Sequence, residues 1–572
     1  MRTLVALALV ALAGLGPVMN PGVSRTVPVA GQRAMVVTEQ HYASRVGVDV
    51  LRRGGNAVDA AVAVAYALAV VHPCCGNLGG GGFMLVRLHD GRERFIDFRE
   101  KAPLRATRDM YLDKRGDLIK GASTKGYLAV AIPGTVMGME RARAEFGTWP
   151  RERLMAPAIA LAETGYRIST GDAAFFAGAS RDVRGRNIFT SQANVRAVFA
   201  PHDRLPRFGD VVRQPQLART LHLIARGGAK AFYEGPIATS MVAASRAGGG
   251  ILSMRDFATY TVGESAPLHC TYRGYDVSAA PPPSSGGTTL CEILGITRTF
   301  PFESWGWNST RSVHYTVEAE RRAYADRNTY LGDPAFVRNP VAALLDPRYT
   351  AKLRDNIGKD SATPSSAIAP GLGPLHEGEN TAHYSIVDRW GNAVAVTYTI
   401  NDWFGAGVMA GNTGFFLNDE MDDFTSKIGE PNLYGLVQGA RNGIASGKRP
   451  LSSMAPTIVT RGGNLVLVTG SPGGSRIITI VLSTIQNVID YGMNVQDAVN
   501  APRIHMQWLP DEVQYEPGAL SPETMSKLSA MGYVFRRFTS WGSAQAIYVD
   551  PRTGTRYGGS DRRHPAGAAM GY

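Results

Sequence analysis

At residue 381 the character of the chain changes, and that break constrains the fold more than anything else in the sequence. Residues 360–380 are punctuated by Pro and Gly and read as an extended surface connection. Long structureless connections inside compact domains are unusual and often functional. Immediately afterwards come Thr381-Ala382-His383-Tyr384-Ser385-Ile386-Val387-Asp388, the turn Arg389-Trp390-Gly391-Asn392, and Ala393-Val394-Ala395-Val396-Thr397-Tyr398-Thr399-Ile400. Two β-rich runs about a Gly/Asn turn predict an antiparallel hairpin. A second hairpin is predicted where Arg461-Gly462-Gly463-Asn464 splits Ile458-Val459 from Leu465-Val466-Leu467-Val468, and a helix over 475–491 follows. Strand pairs followed by helices predict helices on both faces of stacked antiparallel sheets.

Upstream of the break the pattern is mainly helical. Residues 41–53 read as a helix that stops at Gly54-Gly55, and Asn56 caps a second helix running to His72, with Asp59 at its third position. That second helix is apolar nearly all round, which predicts burial between layers. A further helix is expected over 312–330, beyond a break at Pro281-Pro282-Pro283-Ser284-Ser285-Gly286-Gly287. The run Gly79-Gly80-Gly81-Gly82 is not a phosphate loop, because the Lys-Ser/Thr ending is missing and a strand follows where a helix should. Backbone crowding against a pocket is the expected reason for it.

The placement of Thr381 suggests chemistry. A threonine before a strand is explained by β geometry alone, and its hydroxyl is a poor nucleophile without a base. Cleavage of the Asn380–Thr381 bond would free an α-amine, with a reference pKa of roughly 7.7–8.0, beside that hydroxyl. The chain would then be a precursor that cuts itself and afterwards cleaves amides.

Residues 1–30 read as an export signal and short leader: Arg2, an apolar run over 4–15, then Gly16-Pro17. The run is too short to span a bilayer, so no membrane span is expected in the mature form, and the destination is periplasmic or secreted. The 572 residues carry 60 Lys plus Arg against 48 Asp plus Glu, but no dense basic block with interleaved aromatics, which argues against nucleic acid. Cys74 and Cys75 are adjacent and are not expected to pair with each other; Cys270 and Cys291 form a disulfide, or all four are buried thiols. No spacing suggests a metal site, and no cofactor is implied.

Several ordered motifs resemble the γ-glutamyltranspeptidases, members of the N-terminal-nucleophile hydrolases. They are Gly54-Gly55-Asn56-Ala57-Val58-Asp59-Ala60-Ala61, the glycine run to Phe83, Asp97-Phe98-Arg99-Glu100, Pro282-Pro283-Ser284-Ser285-Gly286-Gly287, residues 381–385, Met421-Asp422-Asp423-Phe424, Arg449-Pro450-Leu451-Ser452-Ser453-Met454 and Gly470-Ser471-Pro472-Gly473-Gly474-Ser475-Arg476. The resemblance runs from about residue 30 to the C-terminus. It implies an α+β fold, a four-layer αββα sandwich of stacked antiparallel sheets, and a precursor that splits into a large subunit, 31–380, and a small one, 381–572, which stay together as a heterodimer.

The resemblance also implies roles. Thr381 is the nucleophile, Thr399 orients it, and Gly473 and Gly474 supply oxyanion donors. Arg99, Ser452 and Ser453 hold the carboxylate of a γ-glutamyl group; Asn401, Glu420 and Asp423 hold its ammonium. Residues 425–439, with Tyr434, resemble a lid loop whose hinges are expected at Gly429, Gly435 and Gly439. The implied activity is cleavage of γ-glutamyl amides such as glutathione, with transfer to water, amino acids or peptides. Ala382, Asn380 and Cys74-Cys75 depart from the family pattern without removing a catalytic group. An acylase of glutaryl or other side-chain amides is the alternative on this scaffold, and an exported binding protein with a dead nucleophile is a third reading.

Overall fold

In the computed structural model, which describes residues 26–179, 187–368 and 381–572, two seven-stranded antiparallel sheets lie face to face. One runs Ala568–Gly571, Met35–Thr38, Ala382–Val387, Ala393–Thr399, Gly81–Arg87, Glu93–Asp97, Gly263–Ser265. The other runs Val29–Gly31, Arg556–Ser560, Gln545–Val549, Asn464–Gly470, Thr457–Arg461, Tyr275–Ala279, Leu268–Tyr272. Both predicted hairpins form, and Ala382–Val387 is a central strand, paired on one side with Ala393–Thr399 and on the other with Met35–Thr38.

Side-chain alternation explains the layering, because successive residues of a strand point to opposite faces. Met35, Val37, Leu85, Ala393 and Ala395 point inward and meet Ile458, Val468 and Ile547 of the facing sheet. Their neighbours Val36, Met84, Val86, Val394, Val396 and Tyr398 point outward, against the helices His41–Arg52 and Ala57–Val71. On the far side, Val277, Val459, Leu467 and Ala546 carry Gly286–Thr297, Thr310–Tyr330 and Ile477–Ile489. Four layers result, helix, sheet, sheet and helix, as expected.

The helix Ala57–Val71 is buried along its whole length and is opened by a reciprocal cap between Asn56 and Asp59. The predicted 475–491 helix is shorter, Ile477–Ile489, because its first turn, Gly474–Arg476, is 3-10. No described helix is long and apolar enough to cross a membrane. Residues 1–25 of the expected leader, and residues 369–380 of the expected connection, Asn380 among them, lie outside the described residues.

The cysteines differ from expectation. Cys270 pairs with Cys291, and Cys74 pairs with its neighbour Cys75. A tight turn makes the second pairing feasible: the amides of Cys75 and Gly76 both donate to the His72 carbonyl, at 3.1 and 2.9 Å.

Candidate active site

The hairpin register builds the centre of the site. Ala382 pairs with Tyr398, so one step further Thr381 lies beside Thr399, and its hydroxyl donates to the Thr399 hydroxyl at 3.4 Å. The Thr399 oxygen also accepts from the Asn401 amide at 2.9 Å. Asn77 anchors the strand end by donating to the Thr399 carbonyl at 3.0 Å, while its own oxygen accepts from Gly80 N and Thr135 Oγ. A Cβ on Gly80 would lie 1.9 Å from the Thr399 carbonyl oxygen, which accounts for a glycine there. The crowding expected of the glycine run is therefore against neighbouring strands first, and against the pocket through Thr399 and, at Gly81, through the Glu100 carboxylate, which a Cβ there would meet at 2.8 Å.

Thr381 and Thr399 share a small cavity with Arg99, Asn401, Glu420, Asp423, Tyr434, Ser452, Ser453 and Gly474. Chain segments far apart in sequence thus converge on one point. Gly473 directly precedes Gly474, and both have positive φ, 139° and 55°. They open the 3-10 turn that leads into Ile477–Ile489. The first amides of a helix have no intrahelical acceptor and suit an anion.

Glu420–Asp423 forms a buried 3-10 turn, not the solvated acidic turn that the sequence taken locally would suggest. Glu420 and Asp423 both pair with Arg99, the first at Nη1 and the second at Nη2. Glu100 approaches the same Nη1 at 3.5 Å. Burial raises the carboxyl pKa values of Glu420 and Asp423, opposed by the Arg99 charge, and pushes Glu100 up to about 7. Burial also works against the Arg99 charge, but the surrounding carboxylates hold its pKa above the ordinary arginine value. The cation expected for a carboxylate and the acids expected for an ammonium therefore face each other and pair across the cavity.

The loop 449–454 is fixed from below by Pro282-Pro283-Ser284-Ser285. The Ser452 amide donates to the Pro283 carbonyl at 2.9 Å, and the Ser452 carbonyl accepts from Ser285 N and Oγ at 2.8 and 2.6 Å. Ser453 Oγ accepts from Arg327 Nη2 at 3.0 Å.

Residues 425–439 close over the site. The Tyr434 hydroxyl donates to the Asn401 carbonyl at 3.1 Å and also contacts the Asn401 side-chain oxygen. The Asn401 side-chain NH2 donates to the Asp419 carbonyl at 3.1 Å. Gly429 and Gly435 have positive φ, 88° and 71°, as hinges would allow. Gly439 does not: its φ is −80° and its amide is tied to the Asn328 carbonyl at 2.9 Å, so the expected third hinge is an anchor. The cavity beneath Tyr434 holds about 20 Å³, room for about one water. Outside the loop, a cavity of about 250 Å³ lies between residues 425–438 and the 111–123 segment.

Every expected site residue among those described is thus at or beside one cavity, and Asn380 falls outside them. Glu100, Arg327, Gln438 and Asn77 also belong to the site, and no sequence motif assigns any of them a role there. Glu100 lies inside the Asp97-Phe98-Arg99-Glu100 motif, Asn77 stands two residues before the glycine run, and Gln438 falls within the 425–439 loop; nothing in the sequence marks Arg327.

The family model described as gamma-glutamyltranspeptidase matches residues 43–571 of the chain. A glutathione hydrolase proenzyme of Pseudomonas sp. (strain A14) is 53% identical over 573 residues, covering 99% of both chains. One of Escherichia coli (strain K12) is 46% identical over 560 residues, covering 97% of this chain and 95% of its own. Among solved structures, a cephalosporin acylase from Bacillus halodurans superposes with a TM-score of 0.84 at 28% identity, covering 98% of this chain and 99% of its own.

Proposed function

The chain belongs to the γ-glutamyltranspeptidase family, and from that premise we propose that it is a self-processing γ-glutamyltransferase and glutathione hydrolase with Thr381 as its N-terminal nucleophile. The observation that carries this reading is the Thr381–Thr399 hydroxyl pair, set in a cavity lined by groups of both charge signs.

In the proposed mechanism, Thr381 Oγ first attacks the Asn380 carbonyl, and hydrolysis of the resulting ester leaves a large subunit, 31–380, and a small one, 381–572. The freed α-amine then takes the Thr381 hydroxyl proton as Oγ attacks the γ-amide carbon of a donor such as glutathione. Amides at Gly473 and Gly474 face the oxyanion; loss of one such donor typically costs about 3–4 kcal/mol of transition-state stabilisation. The C–N bond breaks, the amine passes its proton to the leaving nitrogen, and a γ-glutamyl ester remains on Thr381. Water, or the amine of an amino acid or peptide, attacks the ester and restores the threonine.

Both signs of charge in the cavity suit the zwitterionic end of a γ-glutamyl group: Arg99, Ser452 and Ser453 for the carboxylate, Asn401, Glu420 and Asp423 for the ammonium. The leader sequence and the two disulfides support export to the periplasm or exterior. The acylase reading draws on the Bacillus halodurans likeness. Buried acids beside Thr381 weigh against it, since a glutaryl group brings no ammonium to meet them.

Release of p-nitroaniline from γ-glutamyl-p-nitroanilide, but not from glutaryl-p-nitroanilide, is the expected result; the reverse preference would transfer the chain to the acylases. Asp423→Asn is expected to lower kcat/KM for the γ-glutamyl donor by on the order of 10- to 100-fold, the worth of one charge-assisted contact. Any slow glutaryl turnover should change far less, and equal losses on both donors would contradict the pocket assignment.

A further inference from the structure

Behind the carboxylate side of the cavity lies a buried cation that the mechanism above does not use. Arg327, on the helix Thr310–Tyr330, is 1% exposed. Its guanidinium donates from Nε to Ser285 Oγ at 2.8 Å, from Nη1 to Asn328 Oδ1 at 2.7 Å and Gln438 Oε1 at 3.1 Å, and from Nη2 to Ser453 Oγ at 3.0 Å. All four hydrogen-bond partners are neutral, and the carboxylate whose charge favours Arg327 is that of Asp423, which is itself bound to Arg99. A buried arginine is normally matched by an anion, because desolvation of a lone charge is costly. Here that anion is shared, since Arg99 holds Glu420 and Asp423 at its two terminal nitrogens.

Hydrogen-bond direction adds a second argument. Arginine only donates, so each oxygen it touches must accept there. Ser453 therefore accepts from Arg327 and has its own proton left to donate elsewhere. Ser285 follows the same rule: it accepts from Nε and donates onward to the Ser452 carbonyl at 2.6 Å. Gln438 accepts through its oxygen, so its NH2 points away and donates to the Asp423 carbonyl at 3.1 Å. One guanidinium thus leaves the Ser453 proton available to donate, steadies the loop carrying Ser452, and ties the end of the lid to Asp423.

We propose that Arg327 is a specificity-determining positioning residue for the donor's α-carboxylate, directing the Ser453 hydroxyl toward that anion and balancing its charge from behind. The inference rests on the γ-glutamyl reading of the site. It commits the cavity to donors carrying a carboxylate on the carbon next to the amine, and it gives the carboxylate side two cations: Arg99 in the cavity lining, and Arg327 behind the hydroxyls.

The test compares γ-glutamyl-p-nitroanilide with 4-aminobutanoyl-p-nitroanilide, which lacks only the α-carboxylate, in matured wild type, Arg327→Gln and Arg327→Lys. Binding shared by ground and transition states appears in KM. Arg327→Gln should therefore raise KM for the carboxylate-bearing donor about tenfold or more, with kcat within about threefold. Discrimination between the two donors should collapse in the same proportion, because the decarboxylated donor never used the charge. Arg327→Lys keeps the charge but cannot fork to all four partners, and should fall between wild type and Arg327→Gln; it carries the test if the glutamine variant does not fold. A purely structural arginine would give equal losses on both donors, and that result, or unchanged discrimination in either variant, overturns the proposal. Wild type inactive on both donors would instead sink the functional reading beneath it.

Discussion

Glu100 and Glu420 crowd the same nitrogen of Arg99, and two buried carboxylates beside one guanidinium nitrogen do not both ionise easily. Burial, the largest influence, pushes Glu100 up to about 7, opposed by Arg99. Below that pH the extra proton stays on, the cavity loses negative charge, and an incoming ammonium is held less well. KM for γ-glutamyl donors should therefore rise as pH falls from 8 to 6, approaching about tenfold per unit on the acid side if one proton must leave on binding. Competitive inhibition by glutarate, which has no ammonium, should not weaken over the same range. A donor KM that is flat or falls toward pH 6 would show that Glu100 does not report on this site. Neither glutamate's elevated pKa was legible in the sequence, because it arises from a fold that seats Asp97-Phe98-Arg99-Glu100 against a turn more than 300 residues away.

At the scale of single elements, the strand that presents Thr399 is the one most exposed to small errors. Gly80 crosses its carbonyl so closely that a methyl group would sit 1.9 Å from the oxygen, and backbone cannot yield as a flexible side chain does. Gly80→Ala should cost at least about 1–3 kcal/mol of stability through overpacking. It should also slow maturation and turnover, since the displaced strand carries the hydroxyl that touches Thr381. Gly178→Ala is the control: a Cβ there meets nothing within 4 Å, and the melting temperature should hold. Equal thermal stability and equal activity in the two variants would contradict this picture of the strand.

The hairpins and the buried Ala57–Val71 helix were legible because period-two alternation, turn residues and capping pairs act over a few positions. Other features were not. Thr310–Tyr330 carries charge on every side, as an exposed helix would, yet Glu318, Glu320, Arg321, Arg322 and Arg327 are all buried. Their burial depends on partners in distant segments, such as Ser365, Ser453 and the Met506 amide. The Cys74–Cys75 pairing is not legible for a similar reason, since adjacency describes spacing but not the turn that joins the sulfurs. Gly439 fits a hinge by composition alone, but its ordinary φ and tethered amide make it an anchor.

Over the whole molecule, both sheets combine strands from before and after residue 381. Met35–Thr38 lies between Ala568–Gly571 and Ala382–Val387, and Tyr275–Ala279 extends the sheet built on Thr457–Arg461. A cut at residue 380 would therefore leave two pieces sharing one core, which should separate only on denaturation. Self-cleavage also joins residue chemistry to this architecture, because the same bond must break to free the amine and to divide the chain. Intact mass and N-terminal sequencing of active enzyme, beside Thr381→Ala prepared identically, probe it most directly. Active protein should yield a small fragment of residues 381–572 that begins at Thr381, while Thr381→Ala should remain one inactive chain. Full turnover from a sample containing only uncut polypeptide would contradict the account.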